Sequence, residues 1–296
     1  MRISNLSQSL QTKRNIYSLQ NRIAEGQLRL STGTRIQRAS DDPTAALEGL
    51  RISRELRHLD SFQRNISDAQ TWLSLADGAL QQTNDITIRA RNLFIQADSG
   101  VLGQDERDAI ASELDELAAA VADTANMTRA GHPIFGGTSS SSSPFAANGS
   151  FSGDPVPISR QVSTGVNIVV NLNGEETFGT YDAADPAQGN LMQVIKQAAT
   201  DIRAGADAGQ HLNRLDELTQ GIHSAIAKVG ARQQAVEQHE ERLLDRRTQL
   251  QAQRSTVLDT DIAEELLELR QNEVAYQAAL GVSARVLSTS ILDFLR

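Results

Sequence analysis

Seven aliphatic residues follow one another at intervals of seven in the last third of the chain: Leu215, Ile222, Val229, Val236, Leu243, Leu250 and Val257. A repeat of this length is satisfied by a continuous helix that buries one narrow stripe against neighbouring helices, since seven residues make two helical turns. Intermediate positions such as Leu218, Ala225, Arg232, His239 and Arg246 are mixed in character, so the seam is that of one member of a multi-helix bundle. A second ladder nearer the front runs Ile52, Leu59, Ile66, Leu73, Leu80, Thr87 and Phe94. About 55 helical residues at 1.5 Å each extend roughly 80 Å, so this element reads as a rod.

The stretch from Leu30 to Leu47 separates that rod from an N-terminal helix. Gly33 can adopt the left-handed conformation that ends a helix, and Asp42-Pro43 reads as an N-cap followed by a first helical residue. Asp41 and Asp42 are therefore expected to cap rather than to bind metal or move protons. Upstream, Ile3, Leu6, Leu10, Tyr17 and Ala24 form one apolar line, with Ile16, Leu19, Ile23 and Leu30 beside it. An isolated helix so patterned is marginal in water and needs a partner. Asp98-Ser-Gly100 and Gly103 end the rod, and Ile110, Leu114, Leu117 and Val121 predict a helix running back toward Asn126 as a hairpin. Asp261 with Glu264 resembles a capping box that opens a final helix bearing Ile262, Leu266, Leu269, Tyr276, Leu280, Leu287 and Phe294.

Character changes at Gly131-His-Pro-Ile-Phe-Gly-Gly-Thr138, followed by the serine run Ser139 to Ser143 and by Pro144-Phe145. Proline and paired glycines stop a helix. Gly136 and Gly137 beside the serines read as a flexible linker rather than a phosphate loop, since no lysine follows. Val166 to Leu172, Asn173-Gly174 as a type I′ turn, and Glu175 to Tyr181 predict a β-hairpin. The fold class is thus mainly α: an elongated helical bundle or coiled coil built from both chain ends, with a small β-rich insertion. Its expected domains are terminal arms at 1–40 and 259–296, a long-helix bundle at 41–132 and 190–258, and an outer insertion at 133–189.

Composition narrows the function. The chain has no cysteine, which removes disulfides, thiolate zinc sites and cysteine nucleophiles. Its five histidines lack ligand spacing, and no nucleophile-elbow or phosphate-loop pattern occurs. We expect no enzyme, and no catalytic, cofactor-binding or metal-binding residues. The N-terminus lacks the apolar core of a cleavable signal, and no run of about 18 apolar residues predicts membrane insertion. Residues 1–40 hold seven Arg or Lys against one Glu, whereas residues 259–296 hold seven acids against three arginines. Opposite charges favour pairing of the two arms. The competing use of the basic arm, binding anionic lipid or nucleic acid as part of a signalling or secretion-associated bundle, sits poorly with its apolar stripe, and no nucleic-acid partner is expected.

Several segments resemble bacterial flagellins and the flagellar hook-associated proteins. Leu30-Ser-Thr-Gly-Thr-Arg-Ile with Ser40-Asp-Asp-Pro-Thr-Ala-Ala resembles their N-terminal hinge, here Gly33, Asp41, Asp42 and Pro43. Met1-Arg-Ile-Ser, Arg91 to Ala97, Asp259 to Glu264 and Ser290 to Leu295 are similar to other parts of that superfamily. Ile134-Phe135-Gly136-Gly137-Thr138 with Pro144-Phe145 resembles the entrance to the outer domain of the hook-associated protein 3 family, though His132-Pro133 stands where that family usually has an aromatic residue. The resemblance implies a structural adaptor at the hook–filament junction, exported unfolded through the flagellar type III apparatus and secreted without a cleaved signal. It implies a ring of self-contacts between a neighbouring hook-associated protein and flagellin, with an export chaperone on the C-terminal helix. The assembly interface would then be Leu6, Leu10, Leu19 and Ile23 of one arm against Leu266, Leu269, Tyr276, Leu280, Leu287 and Phe294 of the other. The nearest alternative is a short flagellin that forms the filament itself.

Overall fold

The computed structural model describes residues 2–98, 102–139 and 141–294, with the side chains of 2–6, 8, 9 and 285–294 left undescribed. Seven α-helices occur among the described residues: α1 (Arg2–Thr32), α2 (Pro43–Asp98), α3 (Gln104–Ala125), α4 (Gly174–Phe178), α5 (Leu191–Arg203), α6 (Leu212–Leu258) and α7 (Ile262–Phe294). Two antiparallel pairs accompany them, β1 (Thr128–Arg129) with β2 (His132–Pro133) and β3 (Ser159–Ser163) with β4 (Val166–Val169), together with two short 3-10 helices at Pro186–Gln188 and Gly209–His211. The chain divides into two compact units, residues 1–58 with 246–296, and residues 59–245.

In the second unit the ladder positions become the core. Ile66, Leu73, Leu80, Thr87 and Phe94 of α2 and Leu215, Ile222, Val229, Val236 and Leu243 of α6 are all buried. Polar partners fix the pairing of these helices as antiparallel: Arg91 bonds Asp216 at 3.0 Å, Asn84 meets His223 at 2.8 Å, and Gln63 donates to Glu240 at 3.0 Å. From Arg91 to Asn84 α2 steps back by seven residues as α6 advances by seven from Asp216 to His223. α3 returns along α2, with Arg89 bonded to Glu113 at 2.6 Å, and α5 is tied to α3 by Arg203 and Asp115 at 2.6 Å.

The segment between α3 and α5 differs from the expected hairpin. Asn173-Gly174 is a helix start: the Asn173 side chain accepts from the Glu175 N–H at 3.1 Å and opens α4. Asn serves equally as turn residue and N-cap, and Glu175 and Glu176 in the first turn favour the helix through its dipole. β4 pairs backward with Ser159–Ser163 across a turn at Gly165, whose φ is +76°.

The Gly136-Gly137 pair is not a flexible linker. Both residues are buried, and a Cβ on Gly136 would lie 2.6 Å from the Pro133 ring. Gly137 has φ of +69°, and a Cβ there would lie 2.1 Å from the Asp154 carbonyl oxygen. Long-range contact, invisible in the local sequence, holds this pair still. Ile134, Phe135, Pro144 and Phe145 are buried with it, and Asn126 at the end of α3 grips Phe145 from both sides, donating to its carbonyl at 2.8 Å and accepting from its N–H at 2.9 Å. The expected outer-domain entrance is a packed core.

Asp68 of α2 fastens both hairpins. It pairs with Arg129 of β1 at 2.5 Å and Arg160 of β3 at 2.6 Å, while the Arg129 guanidinium lies 5.6 Å from the Trp72 ring centre. Partial burial raises the Asp68 pKa, but hydrogen bonds from Arg160 and Arg129, with their charges, outweigh it and hold the carboxyl below the ordinary aspartate range. A lowered carboxylate pKa contributes stability at neutral pH that is lost as the pH falls through the folded-state value. We therefore expect the wild-type urea midpoint to fall below about pH 4 more steeply than that of Asp68→Asn. Parallel pH profiles of the two proteins would show that this clamp does not carry the dependence.

Candidate assembly interface

The unit formed by residues 1–58 and 246–296 is built from α1, the start of α2, the end of α6, and α7. Its two chain crossings are stitched to each other. Gly33, with φ of +70°, ends α1 and donates its N–H to the Arg29 carbonyl at 2.8 Å, and the Asp42 side chain accepts from the Ala45 N–H at 3.0 Å to start α2 behind Pro43. Asp41 caps the intervening turn by accepting from the N–H groups of Arg38 (2.8 Å) and Gln37 (3.1 Å), which lowers its pKa. Thr260 donates to the Gly33 carbonyl at 3.0 Å and Arg35 to the Leu258 carbonyl at 2.7 Å, so both crossings share one short bridge between Thr34 and Asp259. Gly49 lets α2 approach α6, since a Cβ there would lie 2.7 Å from Leu258.

Beyond this bridge α1 and α7 pack antiparallel. Gln20 donates to the Tyr276 hydroxyl at 2.8 Å, and Arg29 bonds Glu265 at 3.5 Å. The covered positions are regular: Thr12, Ile16, Leu19, Ile23, Gly26 and Leu30 on α1, and Glu265, Leu269, Asn272, Tyr276, Ala279 and Ser283 on α7. Each set advances by four and three residues alternately, the spacing of a coiled-coil seam. Between Leu10 and Thr32, every other α1 residue except Arg29 is exposed; from Ile262 to Ala284, every other α7 residue except Glu273 is exposed.

Both helices carry further apolar residues on the far side. Leu10, Tyr17 and Ala24 repeat every seven residues on α1, and Leu267 and Val274 stand seven apart on α7. Tyr17 is 56% exposed and Val274 66%. Of the residues expected to form the interface, Leu19, Ile23, Leu269 and Tyr276 lie on the inner seam. Leu10, Leu266 and Leu280 stay exposed. Leu6, Leu287 and Phe294 fall on the helices, but their side chains lie outside the described residues. Gly26, Glu265, Leu267 and Val274 were not singled out from sequence, although the second seven-residue phase on α7 could have revealed the last two.

Elsewhere the chemistry is spare. A groove on α2 is lined by Thr71, Ser74, Leu75, Gly78, Gln82 and Met127, which offer hydroxyl and amide groups but no titratable side chain. Among the described residues no group of three or more His, Asp or Glu side chains is disposed to hold a metal ion, and no helix is long and apolar enough to cross a membrane. His211 is buried and bonded to Asp201 at 2.7 Å, as a core histidine.

Comparison with known proteins agrees with this architecture. The chain is similar to the flagellar filament 31.3 kDa core protein of Treponema maltophilum, with 28% identity over 271 residues covering 90% of each chain. In fold it is similar to a putative flagellar hook-associated protein from Vibrio parahaemolyticus, with TM-score 0.67 and 18% identity over 74% of this chain and 100% of that one. It is also similar to flagellar hook associated protein-3 from Legionella pneumophila, with TM-score 0.59 and 16% identity over 70% and 98%. The models of the bacterial flagellin N-terminal and C-terminal helical regions match residues 3–139 and 212–295, and the chain belongs to the bacterial flagellin family.

Proposed function

We propose that the chain is a non-enzymatic structural adaptor of the flagellum, assembling as a junction layer between a neighbouring hook-associated protein and the flagellin filament. The observation that carries this reading is the set of further apolar residues on the far side of each terminal helix, which the chain's own fold leaves uncovered. Other copies and axial neighbours are the natural cover. In this arrangement the arms, 1–40 and 259–296, complete their packing on assembly and form the inner tube. The long helices at 41–132 and 190–258 form the next shell, and the insertion at 133–189 lies outside. The fold likeness to hook-associated proteins supports the junction role, and so does the sequence resemblance of Ile134 to Phe145 to the outer-domain entrance of the hook-associated protein 3 family.

A chain of this kind reaches its place by secretion through the flagellar export apparatus. α7, from Ile262 to Phe294, is where a cytoplasmic chaperone would cover apolar surface beforehand. The second reading, a short flagellin forming the filament itself, is favoured by the 28% identity to a filament core protein. Deleting the gene separates the two. The junction role predicts bare hooks under the electron microscope and soluble flagellin in the medium, while intact filaments would overturn it. Self-polymerisation of the purified chain into long filaments would favour the second reading.

A further inference from the structure

The inner seams of α1 and α7 raise a question of alignment. A seven-residue repeat meets itself again after a slide of seven residues, about 10 Å along a helix, so repeating apolar contacts leave the register of two such helices open. One level of the seam is unlike the rest. Gly26 is buried in α1, and facing it is Glu265, only 8% exposed. A Cβ on Gly26 would lie 3.2 Å from Oε1 of Glu265 and 3.5 Å from Cδ1 of Leu269. The missing side chain leaves the notch in which the carboxylate sits. There its Oε2 lies 3.5 Å from the Arg29 guanidinium and 3.4 Å from the Thr260 hydroxyl.

Sliding α1 by one heptad removes the notch. Arg22 would take the place of Arg29, so a cation would remain near, but Leu19 would take the place of Gly26 and fill the space the carboxylate needs. A slide the other way carries Glu265 past the end of α1 at Thr32. A carboxylate pressed against the leucine side chain that fills its notch is costly, whereas a buried polar group in an apolar seam is well suited to specifying alignment at some expense in stability. We propose that Gly26 and Glu265 together set the register in which the two terminal helices pair. The bridge between Thr34 and Asp259 then receives the helices already aligned. This device goes beyond the junction role and does not depend on it.

The absence of native cysteine makes the register directly readable. Gln20→Cys with Tyr276→Cys reports the observed alignment, and Lys13→Cys with Tyr276→Cys reports a slide of one heptad. Each pair is placed in the purified full chain and treated with a short bis-maleimide. With the native seam we expect the 20–276 product to exceed the 13–276 product by at least about tenfold, the ratio that corresponds to ~1.4 kcal/mol. Adding Glu265→Leu, or separately Gly26→Leu, is expected to bring the two yields within about threefold while far-UV circular dichroism stays helical. If both variants keep the tenfold preference, another feature sets the register and the proposal is wrong. It is equally wrong if the native seam gives neither product.

Discussion

Phe178→Ala is expected to destabilise the unit of residues 59–245 by about 3–5 kcal/mol, the range for truncating a fully buried aromatic ring. Phe178 closes α4 and is completely buried. It packs edge-to-face on Phe135, with ring centres 5.0 Å apart, and on Phe145 at 5.4 Å. Phe145 in turn meets Phe151 at 4.8 Å. These rings join three separate stretches of the insertion. The next residue, Gly179, has φ of +91°, and a Cβ there would lie 2.5 Å from Leu218, so α4 is pressed against α6. Emptying this site leaves a cavity beside residues that cannot collapse into it without giving up that approach. Urea unfolding followed by circular dichroism and by fluorescence of Trp72, the single tryptophan, measures the effect. If the unit unfolds cooperatively, both probes shift together; if the insertion melts first, a separate early transition with a smaller m-value appears. A loss below about 1 kcal/mol would mean that the ring cluster is not what holds the insertion.

What was legible in the sequence was what local periodicity determines. The ladder from Leu215 to Leu250 is buried at every step, as is most of the ladder from Ile52 to Phe94, because a seven-residue repeat presents one helix face wherever its partner lies. Gly33 and Asp42-Pro43 behave as read, since cap and stop signals act through the adjoining backbone. The insertion was less legible. Asn173 suits a turn or an N-cap, and only the backward pairing of β4 with Ser159–Ser163 decides between them. Gly136 and Gly137 look mobile until the fold closes Pro133 and Asp154 on them. The arms fell between these cases. Both apolar lines of α1 could be read from sequence. The line of Ile16, Leu19, Ile23 and Leu30 is the one turned toward α7, and Gly26, a residue with no side chain to announce it, lies on that face.

That division into inner and outer lines gives the second large expected effect. Val274→Asp should leave the isolated chain nearly unchanged, within about 0.5 kcal/mol, because the side chain is 66% exposed and on the far side of α7 from α1. Leu269→Asp is the contrasting substitution. Leu269 is 9% exposed and borders the Gly26 notch, so a carboxylate there breaks the α1–α7 pair within one chain. In assembly the two should converge. If neighbouring copies cover the outer line, Val274→Asp places an unpaired charge in each new contact at roughly 3 kcal/mol or more, repeated in every copy of a ring. Leu267→Asp, one heptad earlier on the same line, should act in the same way. Both are read by complementing a deletion strain and scoring swimming and attached filaments, with secretion of the variant checked in the medium. Secreted but unincorporated Val274→Asp protein, folded like wild type, is the expected outcome. Normal swimming with either outer-line variant would mean that this face meets solvent in the finished structure, and that the inner seam alone is what the terminal helices contribute.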